Sequence, residues 1–428
     1  MNSEHIKRIA RVKKYLKEGE GLLLFASSGV KRNSDVEYKF RQDSSFYYLT
    51  GFAEADAILF ITKKKTVMFV LAKDREKEIW TGIRTGRINI KKILQLDESY
   101  DVNDWQIQKQ NLLSSIHTLF YFFGENELRD REILQSITTI ARGIRDGRTA
   151  PVRIERPLFL HEMRLFKTEF EIKKIREAAN ITNIGHRLAM QEAKPGKREF
   201  EIEALLEKTY LEMGAWGGGY GHIVASGINA TILHYTSNSA VMQEGDLLLI
   251  DSGAEKDYYT ADVTRTFPVG KKFSQAQKEI YTIVLHAQKQ AISTAKAGAR
   301  LLDLHQITLK YLIEGLIKLK ILQGSLASNL KSKAYNRFFM HKTSHWLGMD
   351  VHDVGNYFSA GESRKLTNGM VFTVEPGLYF AASDRTVPAK YRGIGIRIED
   401  NILVNGNNPV NLTEMIPKEI EEIENLKK

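Results

Sequence analysis

The chain has 428 residues, of which 43% are hydrophobic and 27% charged, an ordinary globular composition that excludes a disordered, collagenous or coiled-coil protein. Its length exceeds what one hydrophobic core usually serves, so we expect two domains or one large one. Cysteine is absent, which excludes disulfides, thiolate nucleophiles and cysteine-ligated metal centres. The net charge is +10, but the lysines form no basic stripe with interleaved aromatic residues, so no nucleic-acid partner is expected.

The sequence also predicts no membrane partner. The N-terminus lacks the apolar segment of a signal peptide, and no run of about 18 uncharged apolar residues occurs. We therefore expect a cytoplasmic location.

The first part of the chain is predicted to be a self-contained α/β unit. Apolar residues at helical spacing predict a helix near the N-terminus, and short apolar runs predict strands, two of them in a hairpin. The helix is marked by Ile6, Ile9, Val12 and Leu16, and the strands by residues 22–25, 58–62, 66–70 and 118–123.

A change of pattern near residue 168 predicts a domain boundary. Thr168 and Glu171 fit a capping box, which opens a long helix with Ile172 and Ile175 on one face. We place the first domain at residues 1–165 and the second at residues 166–428.

The second part contains an internal echo. Residues 193–196 (AKPG) and 295–298 (AKAG) each end a predicted helix and precede another. In each half a glycine, five mostly apolar residues and a carboxylate then follow, at 245–251 and 369–375. If the halves are related by a pseudo-two-fold axis, Asp251 and Glu375 lie at equivalent places and can point at one centre, which is a metal-site geometry.

Four carboxylates lie at or near the ends of apolar strands: Asp251, Asp262, Glu375 and Glu399. Such a group is costly to bury unless it is paired, hydrogen-bonded or bound to a cation. A structural salt bridge accounts for any one of them alone, whereas four in two strand pairs favour a cation. The residues between Asp251 and Asp262 suffice for two strands and a turn, and those between Glu375 and Glu399 predict a hairpin with an extended loop.

Three closely spaced histidines, His341, His345 and His352, offer a nitrogen ligand. Lys342 follows His341 in place of a glutamate, which excludes an HExxH zinc protease. Mostly oxygen ligands with one imidazole suit Mn²⁺, Co²⁺ or Zn²⁺ in a paired site, with the ions about 3.5 to 4 Å apart. Two such ions can share one hydroxide and polarise a scissile carbonyl, so no serine or cysteine nucleophile is required.

Five motifs resemble those of the Xaa-Pro aminopeptidases, metallopeptidases of the pita-bread fold. They are LHYTSN (233–238), LLIDSGAEKDYYTADVTRTFPVG (248–270), FFMHKTSHWLGMDVHDVG (338–355), FTVEPGLYF (372–380) and GIRIEDNILV (395–404). The segment NSDVEYKFRQDSSFYYLTGF (33–52) resembles the creatinase-like first domain of the same family. The resemblance implies an α+β protein in which a smaller creatinase-like α/β domain precedes a pita-bread domain with pseudo-two-fold halves.

The resemblance also implies a dinuclear centre that hydrolyses the bond before a proline in the second position, through a metal-bridging hydroxide. The two divalent ions are usually Mn²⁺ in this family, and Asp262 and Glu399 would bridge them. The implied ligands are Asp251, Asp262, His345, Glu375 and Glu399.

Further residues receive roles from the same resemblance. His234 and His352 match histidines that contact the scissile peptide, and Glu375 matches the acceptor of the water's proton. The implied substrate-binding residues are Tyr220 for the N-terminal residue, His341, Tyr379 and Arg397 for the proline, and Trp80, which in family oligomers reaches a neighbouring subunit's site. Packing in a core is the alternative for Trp80. The family points to a homodimer or homotetramer.

The sequence leaves three alternatives open. An Xaa-Pro dipeptidase (prolidase) shares the fold and ligands but closes the site beyond the proline. A non-catalytic pita-bread binding module and a creatinase-like metal-free enzyme would both have lost acids that this chain keeps. The segments at 33–42 and 338–348 favour the aminopeptidase.

Overall fold

The structure is a computed structural model that describes residues 2–143, 145 and 147–427. The chain divides into two compact units, the first ending at Leu160 and the second beginning at His161. The domain limits at residues 165 and 166 stay a prediction. Among the described residues, no helix is long and apolar enough to cross a membrane.

The first unit is built on a six-stranded mixed sheet. Its strands in chain order are β1 (Glu20–Phe25), β2 (Lys31–Asn33), β3 (Val36–Glu37), β4 (Ile58–Thr62), β5 (Thr66–Val70), β6 (Glu98–Asp101), β7 (Thr118–Phe120) and β8 (Arg153–Glu155). The sheet order is β6-β5-β4-β1-β7-β8, and β2 and β3 form a separate hairpin. The predicted hairpin of β4 and β5 is confirmed, with Ile58 opposite Phe69.

Helices precede, connect and follow these strands along the chain. They are α1 (Asn2–Tyr15), α2 (Ser44–Thr50), α3 (Arg75–Thr81), α4 (Gly86–Leu94), α5 (Trp105–Leu113) and α6 (Glu127–Arg142), followed by α7 (Leu158–Leu165) at the junction of the units. Leu23, Phe60, Phe69 and Trp105 are buried in one apolar cluster of this unit. The first helix and the strand at residues 22–25 lie where the apolar spacing predicts them, while the strand from Thr118 ends at Phe120.

The second unit combines helices with several small sheets. Its helices are α8 (Glu169–Glu192), α9 (Glu199–Glu212), α10 (Gln275–Thr294), α11 (Leu301–Lys318), α12 (Leu326–Ser332) and α13 (Ile420–Leu426). The first strands are β9 (Gly217–Gly218), β10 (Ile223–Ser226), β11 (Leu247–Asp251), β12 (Ala254–Lys256), β13 (Tyr259–Thr260) and β14 (Thr264–Pro268). They continue with β15 (Phe358–Ser359), β16 (Glu362–Ser363), β17 (Val371–Val374), β18 (Gly377–Tyr379), β19 (Gly395–Arg397), β20 (Asp400–Leu403) and β21 (Val410–Asn411).

The predicted capping box opens α8. The Thr168 hydroxyl accepts a hydrogen bond from the Glu171 N–H, and the Glu171 carboxylate accepts one from the Thr168 N–H at 3.0 Å. This reciprocal pairing satisfies two amide donors that have no partner within the helix, so the helix begins at a fixed residue.

The two halves of the second unit repeat one local structure. Gly196 and Gly298 both have φ near +90°, and their N–H groups donate to Met242 O and Leu366 O, each at 2.9 Å. Gly196 therefore links the end of α8 to the segment that precedes β11, and Gly298 links the end of α10 to the segment that precedes β17. A side chain at either position would be strained, because this backbone conformation favours glycine.

The repeated strands deliver the carboxylates. β11 lies between β10 and β14, and β17 pairs with β20, all antiparallel. Asp251 ends β11, Glu375 directly follows β17, and Glu399 directly precedes β20. Since Val374 lies opposite Asp400, the register brings Glu375 and Glu399 to the same end of their strand pair. In both halves of the predicted repeat, therefore, carboxylates lie at or next to the ends of the paired strands.

Candidate active site

Asp251 is held at the end of β11 by groups from two other segments. Arg397 Nη2 donates to its Oδ2 at 2.6 Å, and the Tyr220 hydroxyl lies 2.6 Å from its Oδ1. The same hydroxyl lies 2.5 Å from Asp262 Oδ1, so its single proton is shared between two carboxylates. Tyr220 therefore brings Asp251 and Asp262 within reach of a common atom.

A small hairpin in the segment between Asp251 and Asp262 brings the chain back, so that both carboxylates contact Tyr220. β12 and β13 pair across a turn in which Asp257 and Tyr258 have φ of 51° and 68°. Two successive positive φ values are the signature of a type I′ turn, whose twist matches that of the paired strands. Asn401 then fixes Asp262, since its Oδ1 accepts from the Asp262 N–H at 3.0 Å and its amide donates to the Asp262 carbonyl.

His345 presents one ring nitrogen to the carboxylates. Its Nδ1 lies 3.1 Å from the Trp346 carbonyl, so this nitrogen carries a proton and donates to that oxygen. Nε2 lies 3.2 Å from Asp262 Oδ2 and 3.7 Å from Glu375 Oε1. Burial opposes the charged imidazole, but the hydrogen bond to Asp262 and the charges of Asp262 and Glu375 outweigh it and raise the pKa of His345 to about 9.

Glu399 is buried beside Asp262. Thr264 donates to its Oε2 at 2.6 Å, and the Glu399 N–H donates to the Thr264 carbonyl at 3.0 Å. Burial, followed by the negative charges of Asp262 and Glu375, raises the pKa of Glu399 well above its usual range. An acid in this setting needs a nearby positive charge in order to ionise.

Glu375, like Glu399, lies in an environment that disfavours its ionised form. Burial is the main cause that raises its pKa to about 7, and the charges of His345 and Arg397 oppose that rise. Burial likewise raises the pKa of Asp251 despite its contact with Arg397. The acids therefore carry more potential negative charge than the surrounding protein neutralises.

The five predicted ligands converge, and their chemistry fits divalent cations. One ligand atom from each of Asp262, His345 and Glu399 lies within 4.8 Å of the others, and Asp251 and Glu375 adjoin them. Four carboxylates and one imidazole are the oxygen-rich donor set that suits a paired site for hard or borderline divalent metals. Two such ions would supply the positive charge that the buried acids lack.

A cavity of about 830 Å³ opens onto these acids. Its walls include the predicted catalytic histidines, His234 and His352, and the predicted pocket residues Tyr220, His341 and Arg397. The His352 ring meets the His345 ring edge to face at 4.4 Å between centroids, and burial lowers the pKa of His352. His234 lies in an exposed loop after β10.

The three residues predicted to bind proline form a connected group. His341 Nε2 lies 2.9 Å from the Tyr379 hydroxyl, which accepts a hydrogen bond from Arg397 Nη1 at 3.1 Å. Burial and the Arg397 charge lower the pKa of His341 to about 3, so the ring is neutral at physiological pH. Tyr379 is buried behind His341, which leaves the imidazole facing the cavity.

Trp80 lies on α3 of the first unit. Its side chain is 87% exposed, as are Ile79 and Ile83 to a similar degree, so the alternative that it packs in a core of its own chain is excluded. The residues that line the cavity all belong to the second unit.

Several site residues were not predicted from the sequence. Thr264, Asn401, His305 and Lys342 contact the acids or line the cavity. Thr264 follows Asp262 by two residues, and strand alternation could have identified it as a neighbour on the same face. Asn401 and His305 lie far along the chain from their partners and carry no local signal.

Comparison with known proteins agrees with this geometry. Residues 173–406 match metallopeptidase family M24, and residues 5–121 match the N-terminal domain of aminopeptidase P. The chain is 41% identical to the Xaa-Pro aminopeptidase of Escherichia coli, over 96% of this chain and 94% of the relative. It is 39% identical to that of Haemophilus influenzae, over 99% and 96%.

Solved structures give the same result. The aminopeptidase PepP of Pseudomonas aeruginosa superposes with a TM-score of 0.98 at 38% identity, covering 100% of this chain and 98% of that one. An Escherichia coli aminopeptidase P in complex with substrate gives 0.96 at 39% identity, covering 99% and 98%. A zinc-substituted form of that enzyme, in complex with product, also gives 0.96 at 39%, covering 100% and 98%.

The chain therefore belongs to metallopeptidase family M24, a class of hydrolases that use divalent metal. Within this class it is an Xaa-Pro aminopeptidase, which releases the N-terminal residue from peptides with proline in the second position. The predicted activity and the predicted α+β architecture with an N-terminal creatinase-like domain are confirmed, and the aminopeptidase is favoured over the dipeptidase.

Proposed function

We propose that Asp251, Asp262, His345, Glu375 and Glu399 hold two divalent ions, and that these ions are Mn²⁺. The observation that carries this proposal is the convergence of Asp262, His345 and Glu399, whose ligand atoms lie within 4.8 Å of one another among buried acids. Oxygen-rich sites with one imidazole suit manganese. Asp262 and Glu399 are the two carboxylates of this triad, and we propose that both ions would share them.

The chemistry divides between the ions and the side chains. When bound, the ions supply an acidified water nucleophile and Lewis-acid polarisation of the scissile carbonyl. Glu375 is the proposed proton acceptor, because a carboxylate within hydrogen-bond reach of the nucleophilic water can take its proton. His352 and His234 are proposed to contact the scissile peptide and stabilise its developing negative charge.

Selection of proline is proposed to depend on His341, Tyr379 and Arg397. Tyr379 and Arg397 hold the His341 ring at the cavity wall, where a neutral imidazole can pack against a pyrrolidine ring. A bond to proline has no N–H, so a site that recognises it needs shape rather than a hydrogen-bond acceptor. Tyr220 is proposed to line the adjoining pocket for the N-terminal residue.

The proposed metal site is tested by Asp262→Asn and Glu399→Gln, with Asp257→Asn as a matched control. Either site variant should lower the bound metal and reduce hydrolysis by more than about a hundredfold, since even the partners of ligands are worth ten- to a hundredfold. Asp257 occupies a turn position that asparagine tolerates equally well, so its variant should keep full activity. Full activity in either site variant would contradict the two-metal assignment.

The remaining predictions concern the assembly and the location. We propose a homodimer or homotetramer in which Trp80 reaches a neighbouring subunit's site, supported by the exposed apolar side chains Ile79, Trp80 and Ile83. Light scattering of Trp80→Ala, together with its KM, tests this: a tetramer with unchanged KM would contradict a role in binding substrate. A cytoplasmic location and domain limits at residues 165 and 166 also remain proposals.

A further inference from the structure

The cavity extends beyond the acids. Its volume of about 830 Å³ lies in the upper part of the range of about 300–1,000 Å³ for ligand pockets. One region of its wall carries the carboxylates, and another carries His305, on α11, and Lys342. The roles described above do not use these two basic residues.

A series of contacts through the rings of His341 and Phe339 connects Glu375 to His305. His341 Nδ1 lies 3.6 Å from Glu375 Oε2, and the His341 ring packs edge to face on Phe339 with centroids 4.7 Å apart. Phe339 in turn contacts the His305 ring at 5.9 Å. The wall therefore leads from Glu375 through His341 to His305, away from the carboxylates.

Lys342 brings a free positive charge to this region. Its side chain is exposed, and within the part of the chain that the structure describes its ammonium makes no hydrogen bond or ion pair. The other cationic groups that line the cavity already have partners: Arg397 is bound to Asp251 and Tyr379, and His345 to Asp262. Lys342 is thus the cation that a ligand can engage without breaking an internal contact.

His305 adds a neutral donor beside it. His305 Nδ1 lies 2.8 Å from the hydroxyl of Thr343, the residue that follows Lys342. Burial, and then the charge of Lys342, lower the pKa of His305 to about 4, so its ring is neutral. When that hydroxyl donates to Nδ1, the proton resides on Nε2, which can then donate to a ligand.

We propose that Lys342, with His305 beside it, forms a subsite for a carboxylate carried by the residue that follows proline in the substrate. This rests on the proposed proline pocket, because a peptide whose proline packs on His341 continues toward the neighbouring Lys342. The carboxylate is the C-terminus of an Xaa-Pro-Yaa tripeptide or the side chain of an acidic third residue. The cavity then matches both ends of a short peptide, with acids near its amino end and a cation near its carboxyl end.

The test compares Lys342→Met with Lys331→Met, an exposed lysine on α12 that does not line the cavity. KM is measured for Ala-Pro-Ala, for its C-terminal amide, and for the amides of Ala-Pro-Glu and Ala-Pro-Gln. Lys342→Met should raise KM for a carboxylate-bearing peptide about three- to fivefold, as expected for a partly exposed ion pair. The uncharged partner of each pair should keep its KM, and Lys331→Met should change neither.

The two pairs of peptides distinguish a C-terminal carboxylate from a side-chain carboxylate. A rise confined to Ala-Pro-Ala identifies the C-terminus, and a rise confined to the Ala-Pro-Glu amide identifies an acidic side chain. Equal KM changes within both pairs, including no change, would overturn the subsite. Calorimetric binding of the product Pro-Ala and of its amide should show the same difference. Failure of the metal assignment is distinguishable, because it is read from Asp262→Asn and Glu399→Gln and not from Lys342.

Discussion

Thr264 joins two charged groups of the site through one hydroxyl. It donates to Glu399 Oε2 at 2.6 Å and accepts from Arg397 Nε at 3.0 Å. The hydroxyl thereby orients a proposed bridging carboxylate and the arginine that binds Asp251. Such partners of metal ligands set the direction of the ligand lone pairs, and their loss weakens metal binding.

Thr264→Val keeps the side-chain shape and removes this link. We expect metal affinity to fall about ten- to a hundredfold, with activity recovered at high metal concentration. Thr266→Val is the matched control on the same strand, because its hydroxyl hydrogen-bonds to the main-chain N–H and carbonyl of Arg397 and, within the described residues, to no carboxylate. Metal titration followed by fluorescence or calorimetry measures both variants. Equal affinity in Thr264→Val and the wild type would contradict the orienting role.

Glu375 makes metal binding depend on pH. Its pKa of about 7 means that the metal-free carboxyl holds a proton below pH 7, and a cation must displace that proton. His345, with a metal-free pKa of about 9, must likewise lose its Nε2 proton to bind metal, so metal affinity should rise from about pH 5.5 to about pH 9, with protons released on binding. Calorimetry in buffers of different ionisation enthalpy counts these protons. A pH-independent affinity over this range would show that the acids are already ionised.

At the scale of elements, Glu199 anchors the loop that carries His234. It lies at the start of α9 and is fully buried. Its Oε1 accepts from both the N–H and the hydroxyl of Ser226, each at 2.7 Å, and from Asn229 at 3.1 Å. Its Oε2 accepts from the Tyr235 hydroxyl at 2.8 Å and from the Ala240 N–H at 2.9 Å. Five donors thus hold both ends of residues 226–240.

Glu199→Gln tests this anchor, since an amide nitrogen would face donors in place of an acceptor. We expect kcat/KM to fall about ten- to a hundredfold, as small displacements of catalytic groups do, while metal content stays normal. Glu203→Gln, one turn along the same helix, should keep its activity. Loss of metal together with activity would instead indicate a general structural defect.

The sequence predicts the long elements of this fold well. The capping box at Thr168, the helical spacing of α1 and the two glycine-led strands each carry a local signal that survives in the structure. The length of the segment between Asp251 and Asp262 predicts the short hairpin β12–β13 but not its turn type, because Asp257 and Tyr258 adopt positive φ without glycine. β12 also pairs with β9, so contacts with a distant part of the chain help to hold this hairpin.

Site residues, like the helices and strands, are predictable where a local sequence pattern marks them. The strand-end acids are predictable because a carboxylate closing an apolar run is costly to bury without a partner. The contact of Tyr220 with two of these acids, and the exposed charge of Lys342 in the cavity wall, depend on how distant loops meet. The local sequence pattern does not encode how these loops pack together.

In the second unit as a whole, a buried ion pair joins the two repeated halves. Arg265 on β14 donates to Asp400 Oδ1 on β20 at 2.7 Å, and both side chains are fully buried. Lys418 and Thr413 also donate to Asp400. Burial opposes ionisation of Asp400, but the charges of Arg265 and Lys418 outweigh it and hold its pKa well below its usual range.

Asp400→Asn should destabilise the protein by about 3 kcal/mol, because it leaves the buried Arg265 charge without its partner. Glu362→Gln, in an exposed pair with Arg300, should cost less than about 1 kcal/mol. Since the folded pKa of Asp400 is lowered, its contribution is present above the unfolded pKa of about 3.9 and is lost as pH falls toward the folded value. Urea unfolding of the metal-free variants at neutral and acid pH measures this. An equal loss in both variants would contradict the account.

Metal dependence and proline selectivity are tested together by hydrolysis of Xaa-Pro, Xaa-Pro-Yaa and Xaa-Ala-Yaa peptides after chelation and restoration of metal. We expect no cleavage by the chelated enzyme, and after Mn²⁺ is restored, rapid cleavage of Xaa-Pro-Yaa and little cleavage of Xaa-Ala-Yaa. Full activity of the chelated enzyme, or cleavage of Xaa-Pro without Xaa-Pro-Yaa, would contradict this expectation.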